Sequence, residues 1–187
     1  IVLWILQVWP EPFSSAAGTR TLGLIKVCQK LGYKVYACSP CASNQARTDL
    51  EALGVSTSVY QPNSSDFDAF ISELSPNIVI FDRFMMEEQF SWRVYREAPQ
   101  AVRIIDTIDL QSLRKVREAG IASEDYNVSS SLIPRFSLNE YLAHEVTHRE
   151  VSAILRSDLS LLISEFELEF LQNSLNISPD ILGHVGY

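Results

Sequence analysis

The chain has 187 residues, 47% of them apolar, and a formal net charge of −8. That length suffices for one sizeable core. The charge argues against a broad surface for nucleic acid or anionic membrane, and no apolar run approaches the roughly 20 residues that cross a bilayer.

In chain order, Ile1–Val8 reads as a strand. It has no basic flank and is followed by Glu11, so it is not read as a signal peptide. Pro10, Pro12 and Ser14-Ser15 make a loop, and Ala16–Leu31 carries apolar residues at helical spacing and ends at Gly32. Lys34–Cys38 is a second strand, Asn44–Leu53 a helix stopped by Gly54, and Val55–Tyr60 a third strand. A helix follows over Asp66–Leu74, with Phe67, Phe70, Ile71 and Leu74 on one face. Asn77–Phe81 and Val102–Asp106 are the next two strands, separated by a helix over Glu87–Glu97. A helix runs from Leu110 to about Ala119, Ile121–Leu138 reads as a loop, and Asn139–Arg156 as one long charged helix. Asp158–Ser164 is a sixth strand and Glu165–Leu175 a helix with a Ser cap. Residues 1–175 thus form one domain, and Asn176–Tyr187 reads as a linker or cut edge. Strands that alternate with helices imply a doubly wound, mainly parallel sheet of six or seven strands with helices on both faces.

Two strand ends stand out. Asn77-Ile78-Val79-Ile80 runs into Phe81-Asp82-Arg83-Phe84-Met85-Met86-Glu87-Glu88, and Val102-Arg103-Ile104-Ile105 runs into Asp106-Thr107-Ile108-Asp109-Leu110-Gln111-Ser112-Leu113-Arg114. Both apolar runs are short and do not alternate, as in strands buried on both faces. Ligands of such sheets bind beyond the carboxyl ends of the strands, so both clusters fall on the edge that carries chemistry. The competing reading is that Asp82 and Asp106 cap the helices that follow.

The first loop has one glycine, Gly18, and the second strand ends at Ser39-Pro40. A dinucleotide fold needs a glycine-rich turn there and an acid at the second strand end. No nicotinamide or flavin cofactor is therefore expected, and the absence of a Gly-x-x-x-x-Gly-Lys pattern argues against a P-loop hydrolase. Gly18, Thr19 and Arg20 lie near a helix start, where an anion is favoured. A glycine needed only for close packing is the equal alternative.

Trp9-Pro10-Glu11-Pro12 followed by Ala16-Ala17-Gly18-Thr19-Arg20 resembles the first loop of GT-B-fold, family-four-like retaining glycosyltransferases. The Asp82–Phe90 and Asp106–Arg114 blocks resemble blocks of one branch of that group, and Asp158-Leu159-Ser160-Leu161-Leu162-Ile163-Ser164-Glu165 resembles the strand end that closes its amino-terminal lobe. The resemblance implies an enzyme of two Rossmann-like lobes that moves a sugar from a nucleotide-sugar donor to an acceptor with retention of configuration and no essential metal. This chain would be the acceptor-side lobe, inactive without a carboxy-terminal lobe that binds the nucleotide. Gly18, Thr19 and Arg20 would approach the donor phosphates, and Asp109 and Gln111 the transferred sugar. Asp82, Arg83, Glu87, Asp106, Arg114, Ser164 and Glu165 would line the acceptor crevice. The family pattern commonly has His where this chain has Gln111, which bonds sugars but holds no proton near neutrality.

Three other readings compete. Gln111 favours a non-catalytic sugar or nucleotide-sugar binding module. His144-Glu145-Val146-Thr147-His148 matches the zinc-protease pattern His-Glu-x-x-His; the only other histidine is His184 in the tail and Glu165, Glu167 or Glu169 could be a third ligand, but the segment reads as a solvated helix face. Cys38-Ser39-Pro40-Cys41 matches a redox pair without the surrounding order of elements such proteins have. Three cysteines do not make a disulfide framework, so a reducing compartment, the cytoplasm, is expected.

Overall fold

Leu3 and Ile5 pack on one face of the first strand, and Val2, Trp4 and Leu6 on the other. All five are buried, so this strand has helices against both of its faces, and its sequence shows no alternation for that reason. The computed structural model describes residues 1–122 and 136–186. The loop expected over Ile121–Leu138 lies largely outside them.

The elements are β1 (Val2–Ile5), α1 (Ala16–Lys30), β2 (Val35–Ser39), α2 (Gln45–Ala52), β3 (Ser56–Val59), α3 (Ser65–Leu74), β4 (Ile78–Asp82) and α4 (Arg83–Glu97). They continue with β5 (Val102–Asp106), α5 (Gln111–Ala122), α6 (Leu138–Ala143), α7 (Glu145–Arg156), β6 (Leu159–Leu162), α8 (Glu165–Leu175) and β7 (Leu182–His184). The seven strands form one sheet in the order β3-β2-β1-β4-β5-β6-β7, and every pairing is parallel. This is a Rossmann-like doubly wound sheet. The direction of winding reverses between β1 and β4, and at such a switch point the loops diverge and leave a crevice.

Helices α1 and α2 complete the core on the Trp4 face through Ile25 and Leu50. On the Leu3 face Phe67 and Ile71 of α3 meet Met86, Phe90 and Val94 of α4. A further cluster under β6 and β7 joins Leu113, Tyr141, Ile154, Leu162 and Leu171. Ser15, Asn44, Ser64 and Ser164 cap their helices with side-chain oxygens, satisfying N–H groups that a helix start leaves open.

Three boundaries differ from the sequence reading. The segment expected as a linker or cut edge carries packed structure over residues 176–186: Ile177 and Leu182 are buried, and β7 extends the sheet beside β6. A three-residue strand is too short to show a period, which is why it was not legible. Helix α4 begins at Arg83, directly off the strand, instead of at Glu87. The segment Asn139–Arg156 is two helices, broken where His144 adopts extended backbone (φ −82°, ψ 130°). Among the described residues no helix is long and apolar enough to cross a membrane.

Candidate functional site at the β1/β4 switch point

Register puts Asp82 beside Asp106 at the carboxyl ends of β4 and β5. The chain then leaves each strand through an unusual turn. Arg83 has φ 69° and Ile108 has φ 63°, the left-handed region that non-glycine residues avoid. At Ile108 the Asp109 N–H donates to the Thr107 carbonyl at 2.8 Å, which makes a tight three-residue turn with a β-branched residue at its centre. Such conformations cost about 1–3 kcal/mol and concentrate at functional sites.

Between these turns and the α1 loop lie two adjoining basins that share Ala17 and Arg83. One, of about 440 Å³, is bordered by Trp9, Glu11, Gly18, Asn44, Asp82 and Arg83. The other, of about 480 Å³, is bordered by Gln7, Arg83, Ile108, Asp109, Gln111 and Arg114. Arg83 divides them, its guanidinium donating to the Gln7 side-chain oxygen.

Asp82 is 5% exposed. Its Oδ2 accepts from the Gln7 N–H at 3.1 Å. Its Oδ1 has no hydrogen-bond partner among the described residues, Arg83 Nε standing 3.7 Å away. Asp82 therefore does not cap α4. Burial pushes its carboxyl above the usual range, against the pull of Arg83. Asp109 pairs with Arg114 at 3.2 Å on the open side of the second basin.

Arg20 and Asp106 lie below the crevice floor. Arg20 Nε reaches both Asp106 oxygens at 3.0 and 3.1 Å, and its NH2 reaches Oδ1 at 2.9 Å. Arg20 NH1 also donates to the carbonyls of Val185 and Gly186 at 2.5 and 3.1 Å. The ion pair thus joins α1, the end of β5 and the segment after β7. The Asp106 carboxyl is pushed up by burial, and Arg20 opposes that shift.

Gly18 serves packing: a Cβ there would stand 2.5 Å from the Glu11 carbonyl oxygen, and its N–H bonds the Ser15 cap. Thr19 is exposed and bonds the Pro12 carbonyl at 3.0 Å.

Of the residues singled out in the sequence, the crevice brings together Gly18, Asp82, Arg83, Asp109, Gln111 and Arg114. It does not include Glu87, which lies one turn into α4 and faces α7, accepting from Ser91 Oγ at 2.6 Å and from Arg156 Nε at 3.0 Å. Ser164 caps α8 and Glu165 is exposed beside it; their neighbour Ile163 borders the second basin. Sequence reasoning missed Gln7, although a lone polar residue after six apolar ones was a usable signal. It also missed Glu150, and it gave Glu167 a metal-ligand role; both carboxylates instead reach the start of α5, from α7 and α8.

The histidine and cysteine motifs are arranged differently from their catalytic namesakes. His144 caps α7, its Nδ1 accepting from the Val146 N–H at 3.2 Å, while Glu145 and His148 are exposed. Among the described residues no group of three His, Cys, Asp or Glu side chains could hold a metal ion. Cys38 and Cys41 are unpaired. Cys38 packs in the core on the Leu3 face, where burial pushes its thiol far up. Cys41 packs on the opposite, Trp4 face.

A comparison with models of known protein families gives no match, and a comparison with curated protein sequences gives none either.

Proposed function

We propose that this chain is the acceptor-side lobe of a GT-B-type retaining glycosyltransferase, which moves a sugar from a nucleotide-sugar donor to an acceptor hydroxyl. The observation that carries the reading is the switch-point crevice. There the Asp82-Arg83 and Asp109–Arg114 clusters from two successive strand ends border one cavity system, flanked by two left-handed turns. The sequence blocks that resemble that enzyme group are the same two clusters.

In this reading the buried Asp82 Oδ1 accepts a hydrogen bond from the acceptor hydroxyl, a partner it otherwise lacks. The carboxamide of Gln111 donates to and accepts from hydroxyls of the transferred sugar. Arg83 and Arg114 supply the positive charge that the donor phosphates need, together with the start of α1 at Ala16 and Ala17, which borders the second basin. Arg20, held by Asp106 and the Val185 and Gly186 carbonyls, anchors the floor from below. A second lobe of the same protein supplies the nucleotide site, and no cofactor beyond the nucleotide sugar is required. Unpaired cysteines fit a reducing compartment such as the cytoplasm.

The test is sugar transfer by the complete protein from a panel of labelled nucleotide sugars, with Asp82→Asn and Asp109→Ala as variants. Transfer that falls in both supports the reading. Transfer at wild-type rates in both overturns it. One observation favours a second reading: Gln111 holds no proton, as suits a module that binds sugars without transferring them. Binding of a nucleotide sugar or glycan with no turnover by the complete protein would select it.

A further inference from the structure

Helix α5 begins at the crevice without a local cap. The residue before it, Leu110, is apolar, whereas Ser15, Asn44, Ser64 and Ser164 cap their own helices from the adjacent position. In place of such a cap, two carboxylates arrive from distant helices. Glu150 of α7 accepts from the Gln111 N–H at 3.0 Å through Oε1, and from the Ser112 N–H at 2.9 Å and Ser112 Oγ at 2.5 Å through Oε2. Glu167 of α8 accepts from the Leu110 N–H at 2.9 Å. Both side chains are buried.

We infer that Glu150 and Glu167 are positioning residues, which together fix the Ile108–Ser112 turn and so set where Asp109 and Gln111 stand in the crevice. The inference rests on reading that crevice as the functional site. Three observations lead to it. A left-handed Ile108 persists only if its surroundings over-determine it. Upstream, the turn is held by the Thr107 N–H and hydroxyl on the Leu161 carbonyl at 3.1 and 3.0 Å; downstream, the two carboxylates hold it. Capping alone needs one neutral oxygen. Two buried acids exceed that need and leave Glu167 Oε2 without a hydrogen-bond partner among the described residues. Hydrogen bonds to an ionised carboxylate are charge-assisted and fix direction more firmly than a hydroxyl cap.

The arrangement also supplies its own reporter. Burial pushes the Glu150 carboxyl up to about 7, with the Ser112 and Gln111 donors opposing the shift and Asp109 adding to it. The polar groups that act on it are Ser112 and Gln111 on α5 and Asp109 in the turn; Tyr141 on α6, whose hydroxyl lies 2.8 Å from Ser112 Oγ, feels Glu150 together with Glu167 on α8 and Thr147 on α7. Protonating Glu150 removes its charge and makes one of its two oxygens an O–H donor, which weakens the bonds it accepts from the Gln111 and Ser112 N–H groups.

The experiment is nitrogen-15 NMR of this chain from about pH 5 to about pH 9, across the neutral range in which Glu150 changes charge. The backbone N–H signals of Leu110, Gln111 and Ser112, and the side-chain amide of Gln111, are expected to follow one titration with a midpoint of about 7. In Glu150→Gln that titration should vanish, while signals from β1 and β2 stay in place. Flat signals at 110–112 in the unmodified chain, or a Glu150→Gln variant that titrates like it, would overturn the inference. Should Glu150→Gln not fold, the Gln111 side-chain titration in the unmodified chain decides alone: a cap that merely stabilises the helix would not move it. The function reading fails separately. If the titration is present but the complete protein transfers no sugar, the positioning stands and the transfer reading falls. If transfer is present and the titration absent, the reverse holds.

Discussion

Helices α1 and α5 both start at the carboxyl edge of the sheet, and they are finished in opposite ways. Helix α1 is capped by its own Ser15, a neutral oxygen, and its first residues border the crevice. Helix α5 is closed from below by Glu150 and Glu167. An open helix start on a ligand-binding edge is available to an outside anion, whereas one filled by the protein's own carboxylates is not. The difference separates a surface that meets ligand from a frame that holds the neighbouring turn. The Arg20–Asp106 pair belongs to the frame, although in the sequence it looked like part of the surface.

The largest expected effect tests that assignment of Arg20. Its replacement by Met would leave Asp106, which is fully buried, without its partner. Breaking a buried pair from one side costs about 3–5 kcal/mol, so Arg20→Met should lower stability by that amount in denaturant unfolding. A loss below about 1 kcal/mol, the worth of an exposed pair, would return Arg20 to the surface group.

The next effect comes from the α5 closure and depends on pH. Glu150 binds its proton more tightly folded than unfolded: its carboxyl lies at about 7 against 4.5 for the free side chain. Between those values the folded state carries the extra proton, so the Glu150 contribution to stability is fully present below the lower one and is lost as pH rises through the upper. The loss amounts to on the order of 3 kcal/mol across that window. Unfolding measured at intervals through it should show the fall, and Glu150→Gln should flatten it.

A contrast within α1 follows. Gly18 and Gly23 lie in the same helix, but a Cβ at Gly18 would press on the Glu11 backbone while one at Gly23 meets nothing within 4 Å. Gly18→Ala should therefore cost about 1–3 kcal/mol through overpacking, less the gain in helix propensity. Gly23→Ala should show that gain alone, about 0.5–1 kcal/mol of added stability. Thermal unfolding of the two variants side by side checks the sign of each.

These contrasts show where the sequence was legible. The apolar runs of β1 and β4 announced a parallel sheet because they are buried on both faces and show no period, whereas β5 is fully buried only at Ile105 and Asp106, with Val102 exposed. The two polar clusters were found because they follow such runs directly. Residue type could not say which members point outward: Arg20 and Asp106 are buried in a mutual pair, and Glu87 turns toward Arg156 because α4 starts four residues earlier than its apolar spacing suggests. The capping role of Glu150 and Glu167 was not legible because their partners are N–H groups at a helix start far along the chain. No local pattern marks a carboxylate that caps someone else's helix.

The smallest effect on stability should come from the open side of the crevice, at Asp109. Its side chain is 30% exposed and pairs with an Arg114 side chain that is 51% exposed. Solvent screens such a pair, whose worth is about 0–1 kcal/mol. Asp109→Ala should thus unfold within about 0.5 kcal/mol of the unmodified chain, the range of ordinary surface changes. If the crevice transfers sugar, the same change removes a charged hydrogen-bond partner where substrate stands. Such a partner is worth about 1.5–3 kcal/mol, or roughly tenfold to a hundredfold in kcat/KM. Gln111→His, which keeps a donor and an acceptor at the same place, should hold or raise transfer while leaving stability unchanged. A residue of the frame would show the opposite balance, with a large loss of stability and little specific change in rate. Measuring unfolding and transfer together on Asp109→Ala therefore tells surface from frame at this position, and equal losses in both would place Asp109 with Arg20 and Glu150 instead of with the ligand.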